Sequence, residues 1–307
     1  MSRMKRNPGL VSEIVLPEGP SDYLREDNPR LQELQRRYVG HPASHHSLWS
    51  HRYLATELKL DQFRGDNVYV HQSRSASEVS YILTARYVQS VDKLGLLHTL
   101  GDDDLFGNYL VSVNGDLLVG RELLDAALEI NFLNDTLGLA GLDSPIIIDI
   151  GAGYGRLAHR LVQAIPQLET VLCTDAIPES TFLSEFYLRF RGCESKAKVI
   201  PLDEVEGELG NESVDLAINV HSFGECPLRS IKWWLDVVSA NRIKYFFIVP
   251  NGEALGSWEP DNTSIDYLPL LFDRGYKMVV KQPNYMGAPR VQKHGLYPCY
   301  YYLFERD

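Results

Sequence analysis

Apolar residues recur at helical spacing over the first 140 positions and then, from position 145 onward, condense into short unbroken runs. Leu31, Leu34 and Tyr38 share one face of a helix expected over 28–38. Trp49, Tyr53, Leu54, Leu58 and Phe63 point to short helices within 41–66. Val79, Ile82, Leu83, Tyr87, Val91 and Leu94 mark a helix over 75–97. Leu124, Ala127, Leu128, Ile130 and Leu133 mark another over 121–137, with Gly138 and Gly141 as stop signals. Residues 1–28, rich in Pro, Gly and charge, read as a loosely held arm. At Ile146-Ile147-Ile148-Asp149-Ile150 the pattern becomes that of a strand buried on both faces. Strands are expected at 170–174, 198–202, 214–220 and 245–249, with helices at 179–191, 227–240 and 264–274. Segments 277–281 and 299–304 read as strands with no helical pattern between them. The alternation predicts an α/β fold: a doubly wound, mainly parallel sheet covered on both faces, closed by an antiparallel final strand pair. A helical N-terminal region over 1–140 precedes the sheet domain of 141–307.

Composition narrows the partners. With 44% hydrophobic and 23% charged residues among 307, the chain can bury a sizeable core. A formal net charge of -11 argues against a nucleic-acid partner, which favours basic surfaces. Cys173, Cys193, Cys226 and Cys299 show no CxxC spacing and read as reduced thiols of a cytoplasmic protein. The basic start, Met1 to Arg6, is followed by no apolar stretch, so no signal peptide is expected. No apolar run is long enough to span a membrane. A homo-oligomer stays open.

The most informative segment is Asp149-Ile150-Gly151-Ala152-Gly153-Tyr154-Gly155-Arg156-Leu157. It leaves a buried strand and opens an amphipathic helix, and open α/β sheets bind ligands at such strand ends. A dinucleotide fingerprint would place its third small residue at 156, where Arg156 stands, and the GK[ST] of a phosphate-binding loop is absent. Asp149 would repel a pyrophosphate. It suits S-adenosyl-L-methionine (SAM), which carries an ammonium and a sulfonium and no phosphate. Asp175, at the end of the next strand and followed by Ala176, suits ribose hydroxyls. Asp203, at the end of the third, suits an adenine amino group. The alternative, glycines that merely make a tight turn, leaves these acids unexplained. SAM is the expected cofactor, with Gly151, Ala152, Gly153 and Gly155 lining its site.

The loop and strand order resemble class I SAM-dependent methyltransferases, for which a final antiparallel strand pair is also expected. More narrowly, four stretches resemble the sugar O-methyltransferases of bacterial polysaccharide and natural-product clusters. These are Phe63 to Val70, Gly120 to Asp125, Asp149 to Leu157, and Asn219-Val220-His221-Ser222-Phe223-Gly224-Glu225. The resemblance implies SAM as methyl donor and a hydroxyl, on a sugar or glycosylated natural product, as acceptor. Two features depart from it. The carboxylate runs of metal-dependent relatives are replaced by His221 to Glu225 and Pro250-Asn251-Gly252-Glu253, so no metal is expected. The bulky Arg156 must point outward or meet another acid.

Transfer of a methyl to a hydroxyl needs alignment, supplying roughly 7–11 kcal/mol, and a base, worth about 10²–10⁴-fold. His221 is the candidate base, and Glu225 a residue to orient it or to bind the acceptor. The position of His221 equally suits a capping or donor-packing residue. Ser222 is placed with the donor contacts, though its hydroxyl also suits a cap. Arg64, Asp66 and Tyr69, with Gln72, form a polar and aromatic stretch read as an acceptor or lid element, or as a plain Asp-Asn turn. His294 is placed at the acceptor mouth. His159 is expected on the surface, and Trp233 and Trp234 in core or oligomer contacts. His45, His46 and His51 lack the spacing of a zinc site. A non-sugar hydroxyl or amine acceptor, or a silent SAM-binding module, remain alternatives.

Overall fold

A computed structural model describes residues 19–44, 48–49, 58–65, 69 and 76–307. Helix α1 (Pro29–Arg37) starts where the Asn28 side chain accepts the Arg30 amide at 2.9 Å and Pro29 supplies a ready-made first turn. Ser77 caps α2 (Glu78–Val91) in the same way, through the Ser80 amide. The first departure from the expected helical region follows. Strands β1 (Val111–Val113) and β2 (Leu117–Val119) form an antiparallel hairpin. Asn114 and Gly115 turn it with left-handed φ of 65° and 89°. Helix α3 (Arg121–Leu137) ends at left-handed Gly138, φ 66°.

The second half alternates. The order is β3 (Ile146–Ile150), α4 (Arg156–Ala164), β4 (Thr170–Thr174), α5 (Pro178–Phe190), β5 (Ala197–Val199), α6 (Val205–Leu209), β6 (Leu216–Val220), α7 (Leu228–Ala240), β7 (Tyr245–Val249), α8 (Leu268–Asp273), β8 (Tyr276–Pro283), α9 (Pro289–His294) and β9 (Tyr300–Arg306). The seven-stranded sheet runs β5-β4-β3-β6-β7-β9-β8. The first five strands are parallel, and β9 is antiparallel to both β7 and β8. This is the strand order of the class I SAM-dependent methyltransferase fold. The segment between the last two strands does contain a helix, α9, too short at six residues to impose a periodicity.

Alternation along the strands divides the interior. Ile147, Val171, Ile218 and Phe247 face a core built with α2, α3 and α4, while Ile148, Leu172, Ala217 and Phe246 face one built with α1, α5 and α7. His159, expected on the surface, is buried on α4, its Nδ1 3.2 Å from the Tyr187 hydroxyl. Desolvation and three nearby guanidiniums hold its imidazole down to about 2, so it is a neutral core residue. Among the described residues no helix is long and apolar enough to cross a membrane.

Candidate active site

The chain leaves β3 for β4 on one side and returns to β6 on the other, so a crevice opens between the carboxyl ends of β3 and β6. Asn219 ties it together, donating to the Ile150 carbonyl at 2.8 Å and accepting the Phe223 amide at 3.1 Å. The glycine loop turns there. Gly151 and Ala152 both donate to the Thr174 carbonyl. Gly151 has φ 74°, and a Cβ on it would collide with the Ser222 side chain. Gly155 instead opens α4 at φ 88°, where a Cβ would press on Leu188 and Ser184, so this glycine serves helix packing rather than a ligand.

Two cavities flank the loop. The first, about 620 Å³ with its mouth, is lined by Gly151, Gly153, Asp175, Ala176, Ser222 and Glu225, among others. The second, about 510 Å³, exposes Asp149, Ala152 and Arg156. Tyr69, Val220 and His221 border both. Ile177, Cys226 and Trp234 give the first cavity an apolar wall, which moves Trp234 from simple core into the site.

Each acid has a distinct setting. Asp175 accepts the Gly153 amide at 2.9 Å and the Ile177 amide at 2.8 Å, which fixes the loop and leaves lone pairs toward the cavity. Burial still lifts its carboxyl to about 7. Asp149 is 3% exposed and makes no hydrogen bond or ion pair with any described residue. Desolvation lifts it to about 7 as well, despite the nearby Arg156 charge. That guanidinium is engaged elsewhere, bridging to buried Glu129 at 2.9 and 3.1 Å. This answers how the loop accommodates an arginine.

His221 leaves β6 with φ 59°, its amide on the Val249 carbonyl at 2.7 Å and its ring edge-on to Tyr297 at 4.9 Å. Its Nδ1 is closed to solvent and has no well-formed hydrogen bond among the described residues, with Pro250 and Asn251 beside the ring. Burial, with Arg121 and Arg156 nearby, pushes the imidazole down to about 3, so it is neutral across the physiological range. Glu225 does not reach back to orient it. Its carboxylate instead accepts the Trp49 indole N–H at 2.5 Å and the Asn251 amide at 3.3 Å. Desolvation raises Glu225 to about 7. Tyr69 bonds Ser180 at 3.0 Å and leans on Trp49, ring centroids 5.4 Å apart.

Other expected contacts fall elsewhere. Asp203 lies in a 3₁₀ turn beyond β5 and is taken by Arg37 of α1 at 2.8 Å, so it lines neither cavity. Arg64 is fully buried, paired with Asp102 at 2.7 Å, Asp103 at 2.5 Å and Glu122 at 3.0 Å, and has no path to an acceptor. His294 is exposed at the end of α9. Asp66, Gln72, His45, His46 and His51 lie outside the described residues. Among the described residues no group of three or more His, Cys, Asp or Glu is placed to hold a metal. Trp49, Ser180 and Asn251 also belong to the site, and no local motif in the sequence assigns them there.

Comparison with family models and with curated protein sequences finds no match. Solved structures resemble the chain in fold, at low identity. A SAM-dependent methyltransferase from Clostridium acetobutylicum is 13% identical, over 59% of this chain and 90% of that one, with a TM-score of 0.42. Magnesium protoporphyrin IX methyltransferase from Synechocystis, with bound SAM, is 11% identical over 73% and 97%, TM-score 0.43. M. capricolum TrmK in complex with S-adenosylhomocysteine is 16% identical over 55% and 66%, TM-score 0.38.

Proposed function

We propose that the protein is a SAM-dependent O-methyltransferase whose acceptor hydroxyl belongs to a sugar or glycosylated natural product. One observation carries the donor assignment. Asp149 is a buried carboxylate with no partner among the described residues, facing a cavity beside the glycine loop. A buried acid without a cation is costly, and an ammonium from a ligand answers it. SAM would be held by Asp149 at its amino group, by Asp175 at its ribose, and by Ile177, Cys226 and Trp234 around its purine. When bound it supplies a methyl group already activated on sulfonium.

The chain's own residues do the rest. Tyr69 and Trp49 cover the junction of the cavities and keep water from the reacting atoms. His221 borders both cavities, is in its basic form at neutral pH, and its imidazole would take the proton of the acceptor hydroxyl. A low pKa makes it a weak base, yet the oxygen it serves becomes a far stronger acid as the new bond forms. Proton transfer late in the reaction therefore needs no stronger base.

His221→Asn tests this role, because asparagine tolerates the left-handed backbone at this position. Turnover, read as a methyl mass increment on a panel of glycosides, is expected to fall about 100-fold or more while S-adenosylhomocysteine affinity stays within about 3-fold. Unchanged turnover would remove His221 from the chemistry.

A further inference from the structure

The two cavities beside the glycine loop together carry more carboxyl groups than the methyl donor can answer. Asp175 and Glu225 line the first cavity and Asp149 the second, where the one guanidinium, Arg156, is already paired with Glu129. SAM carries an ammonium, a sulfonium and a carboxylate, a net single positive charge. Glu225 is the acid left over. Its partners among the described residues, the Trp49 indole and the Asn251 amide, are neutral donors, so nothing bonded to it there cancels its charge. Burial, with a smaller push from the Asp175 charge, has lifted its carboxyl, and no cationic group is among the causes that lower it.

The surroundings favour a cation. Trp49, Tyr69 and Trp234 present aromatic rings to the same cavity as Glu225, and ring faces attract ammonium groups. Among the described residues lining that cavity there is no Lys or Arg, and its one imidazole, His221, is neutral. The approach has the same sign. The segment 251–266, which leaves β7 at the carboxyl edge of the sheet beside Glu225, carries Glu253, Glu259, Asp261 and Asp266 and no Lys or Arg. Lys281 engages Glu253 at 3.0 Å, while the nearest bonds of Glu259 and Asp261 are to neutral groups. An acidic segment on this side of the sheet, though it does not line the cavity itself, repels phosphorylated or nucleotide-linked sugars and concentrates cations.

We propose that the acceptor is a cation: a sugar or related polyol whose methylated hydroxyl lies near a protonated amine, that ammonium being bound by the Glu225 carboxylate and faced by Trp49 and Tyr69. The proposal rests on the methyltransferase function above and names the acceptor class for the same cavity. Exposed amino sugars satisfy it; their N-acetyl derivatives, uncharged and bulkier, do not.

The test uses the full chain saturated with S-adenosylhomocysteine, whose binding is measured first by calorimetry. Methyl glucosaminide, methyl N-acetylglucosaminide and glucose 6-phosphate are then titrated at neutral pH. The free amine is expected to bind about tenfold or more tightly than the N-acetyl compound, with the phosphate weakest. Glu225→Gln can keep the Trp49 hydrogen bond on its one amide oxygen, its NH2 then facing Asn251, and is expected to erase that preference while leaving S-adenosylhomocysteine affinity unchanged. Equal binding of amine and amide, binding of neither, a preference for the phosphate, or a preference that survives Glu225→Gln would each overturn the proposal. Failure of S-adenosylhomocysteine to bind in the first step would instead defeat the methyltransferase assignment.

Discussion

Replacing Asp149 by asparagine is expected to weaken S-adenosylhomocysteine binding about 100-fold at pH 8, because truncating one partner of a buried charge pair costs about 2–5 kcal/mol. The carboxylate faces a cavity, and the one cation that acts on it, Arg156, is bonded to Glu129 rather than to it. The ligand ammonium binds only its ionised form, and burial sets that ionisation at about 7. Wild-type affinity therefore rises as pH goes from 6 to 8, and in Asp149→Asn the rise becomes shallower, retaining the part owed to Asp175. Linkage adds a second signature. The folded pKa lies above that of an unfolded aspartate, about 3.9, so the native state holds the proton more tightly. The stability this group contributes is present in acid and is lost as pH climbs from about 4 to 7. Without ligand, Asp149→Asn should melt higher than wild type at pH 8 even as it loses affinity. Calorimetry and thermal melts at both pH values check this. A variant that binds normally, or that loses affinity only by melting lower, would count against a ligand-directed role.

Arg64→Met is expected to destabilise the fold by about 3–5 kcal/mol, as removal of one member of a buried ionic cluster does. Arg64 and Asp102 are both fully buried, and Glu122 is 3% exposed. Without Arg64, Asp102 retains Arg160 at 3.0 Å and Glu122 retains the Tyr154 hydroxyl, but the cluster loses its central cation. A drop in melting temperature on the order of 10 °C follows. It should persist in high salt, since buried pairs are poorly screened. Adding Glu122→Gln to Arg64→Met should recover part of the loss, because the two sites are coupled. A melting temperature within about 2 °C of wild type would show that the cluster contributes little. Tyr154 belongs to the glycine loop, so a collapse here should also lower donor affinity.

What could be read from the sequence was what local pattern encodes. The runs at Ile146–Ile150, Thr170–Thr174 and Tyr245–Val249 and the helix Arg121–Leu137 match their expected bounds. Unbroken apolar stretches and a terminal glycine are local signals. The glycine loop and Asp175 were legible for the same reason. The hairpin β1–β2 was also locally encoded, by Asn114-Gly115 between apolar residues, and was overlooked because helices flank it on both sides. Long-range pairing was not legible. Arg64 looked like an acceptor contact until its acids, 38 to 58 positions downstream, closed around it. Asp203 looked like an adenine contact until Arg37, 166 positions upstream, claimed it. Trp49 and Asn251 joined Glu225 from opposite ends of the chain, with no spacing to announce them.

For the protein to act as proposed, the turn after Gly151, flanked by Asp149 and Asp175, must hold a cationic thionucleoside. Titration of the full chain with S-adenosylhomocysteine and, separately, with NAD in a calorimeter tests that most directly. One-to-one binding of S-adenosylhomocysteine and silence with NAD are expected. Heat from NAD, or none from S-adenosylhomocysteine, would contradict it.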